Sequence, residues 1–158
     1  MAAYAFVTEW FLRAPIERVF AEIDAPEQWP TWWPGVQDVQ VLETGPAGRV
    51  GTRVRNTWKS ALPYALTFEA EVTRHCPPTL IELAASGELV GHGRWELQAQ
   101  GDNTRVRYHW EVSTSRAWMN LLAPLARPLF RWNHDVVMRR GGEALAHRLG
   151  TTLEVSAG

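Results

Sequence analysis

The chain has 158 residues, a formal net charge of -1 and 21% charged residues. This length lies within the single-domain range and predicts one domain that spans residues 1–158. A charge near zero offers no general attraction for nucleic-acid phosphates, so we expect no nucleic-acid partner. The composition also holds nine tryptophans. That many large rings in a small protein indicate a wide interior lined by rings, or an interaction surface.

No basic N-terminal segment followed by an apolar run is present, and nowhere do eighteen apolar residues run together. We therefore expect a cytoplasmic protein without stable membrane insertion. The single cysteine, Cys76, has no partner for an internal disulfide, which agrees with a reducing compartment.

The N-terminal third predicts a strand and two short helices. Residues 4–13, "YAFVTEWFLR", alternate between two faces as a strand does, and residues 14–23, "APIERVFAEI", change to helical spacing. Residues 25–33, "APEQWPTWW", predict a second short helix, broken by Pro30 and ended at Pro34. The spacing of apolar residues thus changes from every second residue, as in a strand, to about 3.6 residues, as in a helix.

Residues 36–115 predict six further strands joined by turn-forming clusters such as "GPAG", "HCPP" and "QGDN". Alternation assigns one apolar face and one charged face to the resulting antiparallel sheet. The residues assigned to the mainly apolar inner face are Val54, Asn56, Trp58, Leu66, Phe68, Ala70, Val72, Ile81, Leu83, Trp95, Leu97, Val106, Tyr108, Trp110 and Val112. We therefore expect another element of the chain to pack on the apolar face and bury it.

The predicted cover is a long helix within residues 117–149. Apolar side chains recur there at helical spacing, and we expect them to face the sheet: Leu122, Leu125, Leu129, Trp132, Val136, Val137, Ala144, Leu145 and Leu149. Pro124 and Pro128 predict that regular helix begins only near Leu129. The pair Gly141–Gly142 indicates either a close approach to the sheet or a weak point in the helix.

The order of strand, two short helices, six antiparallel strands and long helix resembles the helix-grip fold of the SRPBCC or START-like superfamily. Residues 14–36, "APIERVFAEIDAPEQWPTWWPGV", are similar to the opening of its polyketide cyclase/dehydrase-like members. Residues 87–97, 104–112 and 131–149 resemble the last two strands and the closing helix of the same group. The resemblance covers about residues 4–149. It implies an α+β fold in which a seven-stranded curved antiparallel sheet wraps around the C-terminal helix, with two short helices between strands 1 and 2.

The resemblance also implies a cavity between sheet and helix that takes a hydrophobic or aromatic small molecule, lipid-like or polyketide-like. The inward aromatic residues of this chain supply the walls that such a cavity requires. The side chains that we expect to contact the ligand are Trp10, Trp33, Asn56, Trp58, Phe68, Trp95, Tyr108, Trp110, Trp132, Asn133 and Val136.

Catalytic chemistry has few candidates in the sequence. No HExxH, paired CxxC, phosphate-binding loop, GxSxG or dinucleotide fingerprint occurs, and the five histidines are scattered, so we expect no metal and no cofactor. Tyr108 could donate a phenolic proton, Asn133 a hydrogen bond, and Arg140 a positive charge to an enolate. Each can also be interpreted as a structural polar group, which is the commoner role of such residues. His134 and Asp135 are expected at the flank of the helix, outside the cavity.

Two functions therefore remain open for the cavity. The first is ligand binding or transport, and the second is a cyclase, aromatase or dehydratase reaction on a polyketide-like substrate. A third interpretation treats Trp32 and Trp33 as an exposed docking surface. We expect Trp33, within residues 29–36, "WPTWWPGV", to lie at the rim of the cavity.

Overall fold

The computed structural model describes residues 3–46, 49–59, 65–114, 123–151 and 153–157, with residues 123–126 and 153–157 described by their backbone only. Eight strands and three helices follow one another along these residues. They are β1 (Ala3–Leu12), α1 (Ile16–Ile23), a 3₁₀ helix (Pro26–Thr31), β2 (Val36–Glu43), β3 (Arg53–Trp58), β4 (Leu66–Cys76), β5 (Leu80–Gly87), β6 (Leu89–Gln100), β7 (Asn103–Thr114), α2 (Ala123–Arg148) and β8 (Leu153–Ala157).

The strands form one antiparallel sheet in the order β2-β3-β4-β5-β6-β7-β1-β8. The predicted helix-grip arrangement is confirmed, with its two short helices between β1 and β2 and the long helix after β7. β8 is an addition that the sequence pattern did not predict. Its five residues pair with β1, where Leu153 lies opposite Leu12 and Ala157 opposite Thr8.

Alternation in β1 explains how this strand faces the core. Tyr4, Phe6, Thr8, Trp10 and Leu12 are buried, whereas the residues between them are exposed or half-buried. A strand with this pattern covers a core on one side and meets solvent on the other. The prediction of an apolar inner face is therefore confirmed for β1.

Charged side chains occupy the outer face, as the pattern predicted. Arg107 donates to Glu9 across the β1–β7 pair at 3.0 Å, and Arg55 lies 3.7 Å from Glu69 across the β3–β4 pair. Exposed pairs of this kind contribute little to the free energy of unfolding. Their value lies in identifying the solvent side of the sheet.

Helix α2 is held against the inner face by two tryptophan side chains. Trp10 Nε1 donates to the Met138 carbonyl at 3.1 Å, and Trp33 Nε1 donates to the Val137 carbonyl at 3.0 Å. In a regular α-helix these two carbonyls accept the amides of residues 141 and 142. A carbonyl has two lone pairs, so each can accept an indole as well. Gly141 is the site of a close approach, because a Cβ there would overlap the Trp33 indole.

Four expectations about α2 were wrong, namely the inward positions of Trp132, Leu129 and Arg140 and the start of the helix near Leu129. Trp132 is 51% exposed and Leu129 is 47% exposed, so neither faces the sheet, and Arg140 is exposed as well. Buried Phe130 shows which side of the helix faces inward, and Trp132 lies about 200° further around the axis. The helix also begins at Ala123, with Pro128 inside it, rather than near Leu129. The expected inward positions Leu122 and Leu125 lie outside the described side chains.

No helix in the described ranges combines the length and the apolar character needed to cross a bilayer.

Candidate ligand-binding site

Two adjoining cavities lie on the inner side of the sheet. The small cavity, of about 70 Å³, lies between the end of α1, the 3₁₀ helix and strands β3 to β7, and includes Asn56 and Trp95 in its wall. The large cavity, of about 140 Å³, lies under the N-terminal half of α2 and includes Phe6 and Phe130. Four side chains line both: Trp58, Phe68, Tyr108 and Trp110.

A row of stacked rings forms the shared wall. Trp95 and Tyr108 are register partners on β6 and β7, and their centroids lie 4.1 Å apart with planes 28° apart. Tyr108 and Trp110 lie two residues apart on β7 and therefore share a face, with centroids 5.9 Å apart. Phe68 continues the wall from β4 at 5.6 Å from Trp110. Such a surface suits a flat, apolar molecule.

Tyr108 combines an apolar ring with one polar atom in this wall. Burial raises the pKa of the Tyr108 phenol far above its ordinary value of 10.0, because the phenolate would be poorly solvated. The group therefore remains protonated at any physiological pH, and the hydroxyl can donate a hydrogen bond but cannot serve as a resident base.

The structure divides the predicted ligand-contacting side chains into three groups. Seven line one or both cavities: Asn56, Trp58, Phe68, Trp95, Tyr108, Trp110 and Asn133. Trp10, Trp33 and Val136 are buried but line neither cavity, and Trp132 is exposed. Of the three catalytic candidates, Tyr108 and Asn133 lie at the large cavity, whereas Arg140 is exposed. The role of each remains a prediction.

Trp33 differs most from its expected place at the cavity rim. It is 2% exposed, and its ring centroid lies between 5.1 and 6.2 Å from those of Trp10, Trp29, Trp32, Trp58 and Trp95. The segment holding Trp33 is therefore core packing that ties the 3₁₀ helix to α2. Neither Trp32, which is half-buried, nor Trp33 offers the exposed docking surface that was considered.

His134 is the site residue that the sequence analysis missed. Its side chain is 13% exposed, lines the large cavity and stacks on Phe6 with centroids 4.3 Å apart. Both ring nitrogens are buried and have no hydrogen-bond partner among the described residues. Nδ1 lies 3.8 Å from Asp135 Oδ1, which is too far for a hydrogen bond. The signal was present in the spacing, because His134 is four residues after buried Phe130 and so shares its helix face.

Burial lowers the pKa of His134 below its ordinary value of 6.5, because the cavity solvates the imidazolium poorly. Asp135 opposes this effect and Arg131 adds to it. The imidazole is therefore neutral at pH 7, with one nitrogen as donor and the other as acceptor. Two further buried polar atoms of cavity-lining residues, Tyr4 Oη and Trp58 Nε1, also have no partner among the described residues.

A polar cluster closes the other end, at the small cavity. The Asp24 carboxylate lies 3.3 Å from Arg49 Nε and 3.0 Å from His75 Nε2, and Asp24 and Arg49 both line the cavity. These contacts join the end of α1 to the loop before β3 and to the end of β4. Within the described part of the chain, no three His, Cys, Asp or Glu side chains come together as a metal site.

An antiparallel sheet that holds a long C-terminal helix over an aromatic cavity defines a helix-grip, START-like protein. Residues 5–150 match the family described as "Polyketide cyclase / dehydrase and lipid transport", and the chain belongs to that family.

Sequence and structure comparisons give relatives of this kind. The chain is 34% identical over 106 residues to the actinorhodin polyketide synthase bifunctional cyclase/dehydratase of Streptomyces coelicolor, a match that covers 60% of this chain and 30% of that protein. The match thus spans less than a third of that relative's length. Two solved structures share the fold. The Zhui aromatase/cyclase from Streptomyces sp. R1128 has a TM-score of 0.74 at 17% identity, over 94% of each chain. A START superfamily protein from Mycobacterium smegmatis has a TM-score of 0.75 at 16% identity, over 93% of this chain and 98% of that one.

Proposed function

We propose that the protein binds a hydrophobic or aromatic small molecule in the cavities between the sheet and α2. The observation that carries the proposal is the wall of stacked rings, Trp95, Tyr108 and Trp110, which borders the two cavities. Ligand pockets are typically apolar with a few polar groups that fix orientation. Tyr108 and His134 are polar groups of that kind here. We further propose that residues 1–158 act as one domain, with a core over about residues 4–149.

The volume of the cavity limits the size of the ligand that it can hold. About 140 Å³ in the large cavity is below the roughly 300–1,000 Å³ of pockets for drug-sized molecules. It is close to the ~150 Å³ of an engineered apolar cavity that holds benzene. A molecule with one ring fits the described cavity without rearrangement, and a polycyclic or long-chain ligand would require the walls to move.

The experiment is a search for a bound molecule, followed by a measurement of binding. Mass spectrometry of the denatured protein would identify a ligand that purifies with it, and calorimetry would measure the binding of single-ring aromatics and short fatty acids. The proposal expects saturable binding of at least one of these classes with one site per chain. Absence of both a purified ligand and any saturable binding would contradict it.

A second candidate function is a cyclase, aromatase or dehydratase reaction in the same cavity. The observation that favours it is that two groups able to transfer or donate protons, His134 and Tyr108, line the large cavity together. A neutral imidazole can accept a proton from an acidic C–H bond while a phenol donates to the developing enolate oxygen. The relative from Streptomyces coelicolor carries the name of such an enzyme.

This second function requires turnover, which a binding protein lacks. The test is the conversion of a poly-β-keto thioester analogue, followed by chromatography, for the wild type and for Tyr108→Phe and His134→Gln. The enzyme interpretation expects product from the wild type and, in both variants, a loss of rate that exceeds any loss of binding. Equal product from wild type and variants, or none from the wild type, would leave ligand binding as the function.

A further inference from the structure

The inward end of the large cavity near β1 differs chemically from the rest of its wall. Most of the remaining lining is apolar, with side chains such as Leu89, Val112 and Val137, and its other polar side chains include Tyr108, Thr114 and Asn133. At this end the His134 ring lies flat against Phe6, and the edge of the ring carries two nitrogens that have no partner among the described residues. A buried imidazole without a hydrogen bond is unfavourable, because it has lost its hydrogen bonds to water and the Asp135 carboxylate, 3.8 Å from Nδ1, compensates only in part.

The Tyr4 hydroxyl adds a second unpaired group to the same cavity wall. It is buried without a partner among the described residues, and its ring packs edge-on against Phe130 with centroids 5.6 Å apart. The Arg127 guanidinium lies over the Tyr4 ring, 5.0 Å from its centroid. Burial raises the pKa of the Tyr4 phenol, and Arg127 opposes this, so the hydroxyl is a neutral donor and acceptor.

We propose that His134 orients the ligand, by hydrogen-bonding the hydroxyl or carbonyl oxygen of a single-ring aromatic molecule whose ring lies against the Tyr108–Trp110 wall. This inference rests on the proposed binding function and narrows its ligand class. A hydroxyl matches a neutral imidazole because it can donate to one nitrogen or accept from the other. A carbonyl accepts from the protonated nitrogen. A carboxylate is disfavoured, because it would enter an apolar space with no cation described among the lining residues.

Phenol and toluene are suitable probes, because they have nearly the same shape and differ by one hydroxyl. Their dissociation constants are measured by calorimetry at pH 8 for the wild type, His134→Phe and His147→Phe. His147 is an exposed histidine on the same helix and supplies the matched control. A single hydrogen bond at a buried site changes affinity by about tenfold. The ratio of phenol to toluene affinity is therefore expected to fall about tenfold in His134→Phe and to stay unchanged in His147→Phe.

A second measurement does not depend on a variant that folds. The imidazole ¹⁵N signals of His134 in the wild type are expected to shift when phenol binds and to move much less when toluene binds. The role of His134 would be overturned by an unchanged affinity ratio in folded His134→Phe, or by imidazole ¹⁵N chemical shifts that do not change when phenol binds. The binding function would stand in either case. No binding of either probe would overturn both proposals for a single-ring ligand.

Discussion

The Trp33 indole occupies the space into which a side chain at Gly141 would project. The same indole donates its N–H to the Val137 carbonyl, one turn earlier on α2. A glycine in a helix is unfavourable by about 1 kcal/mol relative to alanine. Here the missing Cβ allows a buried tryptophan to lie directly on the helix backbone. Gly141 therefore favours the packing of Trp33 on α2, although it lowers the intrinsic stability of the helix.

Replacing Gly141 by alanine is therefore expected to destabilise the protein, although alanine is the better helix former. Overpacking a closed core typically lowers the free energy of unfolding by about 1–3 kcal/mol. Urea unfolding followed by tryptophan fluorescence measures the change. Arg140→Ala, at the exposed neighbouring position, is the control and should stay within about 0.5 kcal/mol of the wild type. A Gly141→Ala protein more stable than the wild type would show that the indole can move aside at no cost.

Filling the large cavity should abolish ligand binding without unfolding the protein. Leu89 is buried and lines this cavity, whereas its neighbour Val90 is 44% exposed on the other face of β6. Leu89→Trp is expected to weaken the binding of a single-ring aromatic at least tenfold, because the indole takes the same space. Val90→Trp carries the same added ring and should bind as the wild type does. Equal binding by the two variants, with unchanged thermal unfolding, would place the ligand elsewhere.

The two tryptophans Trp95 and Trp132 should differ sharply in their contribution to stability. Trp95 is 2% exposed and Trp132 is 51% exposed. Truncation of a buried aromatic to alanine lowers the free energy of unfolding by about 3–5 kcal/mol, and we expect Trp95→Ala to fall in that range. Trp132→Ala is expected to change it by less than about 0.5 kcal/mol. A loss of more than 2 kcal/mol in Trp132→Ala, measured by urea unfolding, would mean that the ring is buried in solution.

The burial of His134 should make the free energy of unfolding depend on pH. Its folded pKa lies below 6.5, so the unfolded chain takes up a proton first as the pH falls. The stability that the neutral imidazole contributes is present above pH 6.5 and is lost as the pH falls below that value. The charged neighbours are Asp135, which opposes the pKa shift, and Arg131, which adds to it. His134→Gln should therefore lose less stability than the wild type between pH 7 and pH 5. Parallel pH profiles for the two proteins would show that His134 is not buried as a neutral group.

The inward face of each strand was predictable from the sequence, whereas the side of α2 that faces the sheet was not. In a strand only two faces exist, so the parity that placed Asn56, Tyr108 and Trp110 inward tolerates a slightly wrong strand end. Each residue of a helix turns the side chain by about 100°, so a small error in phase exposes a predicted core residue. Trp132 was placed inward and His134 outward for this reason. Their true positions follow from the face that Phe130 shares with His134.

A tryptophan that lines a cavity cannot be told from one that fills a core by its place in the sequence. Trp33, which follows the 3₁₀ helix, and Trp95, on β6, are both 2% exposed. Only Trp95 borders open space, because β6 and β7 hold its ring flat beside Tyr108. The volume that remains after all the rings are packed depends on every neighbour at once. The sequence did not predict β8 for a different reason. Five residues after a long helix are too few to show the alternation by which a strand is assigned.

β8 decides which backbone groups the sheet presents to other molecules. Without this strand, β1 would be the outermost strand beyond β7, and its residues Thr8–Leu12 would present unpaired N–H and C=O groups next to buried Trp10. Exposed edges of this kind recruit strands from other chains and start aggregation. The five residues Leu153–Ala157 pair with β1 and leave a short strand at that edge in its place. Pairing of Leu153–Ala157 with β1 thus reduces the length of strand edge on which another chain could pair, independently of any ligand in the cavity.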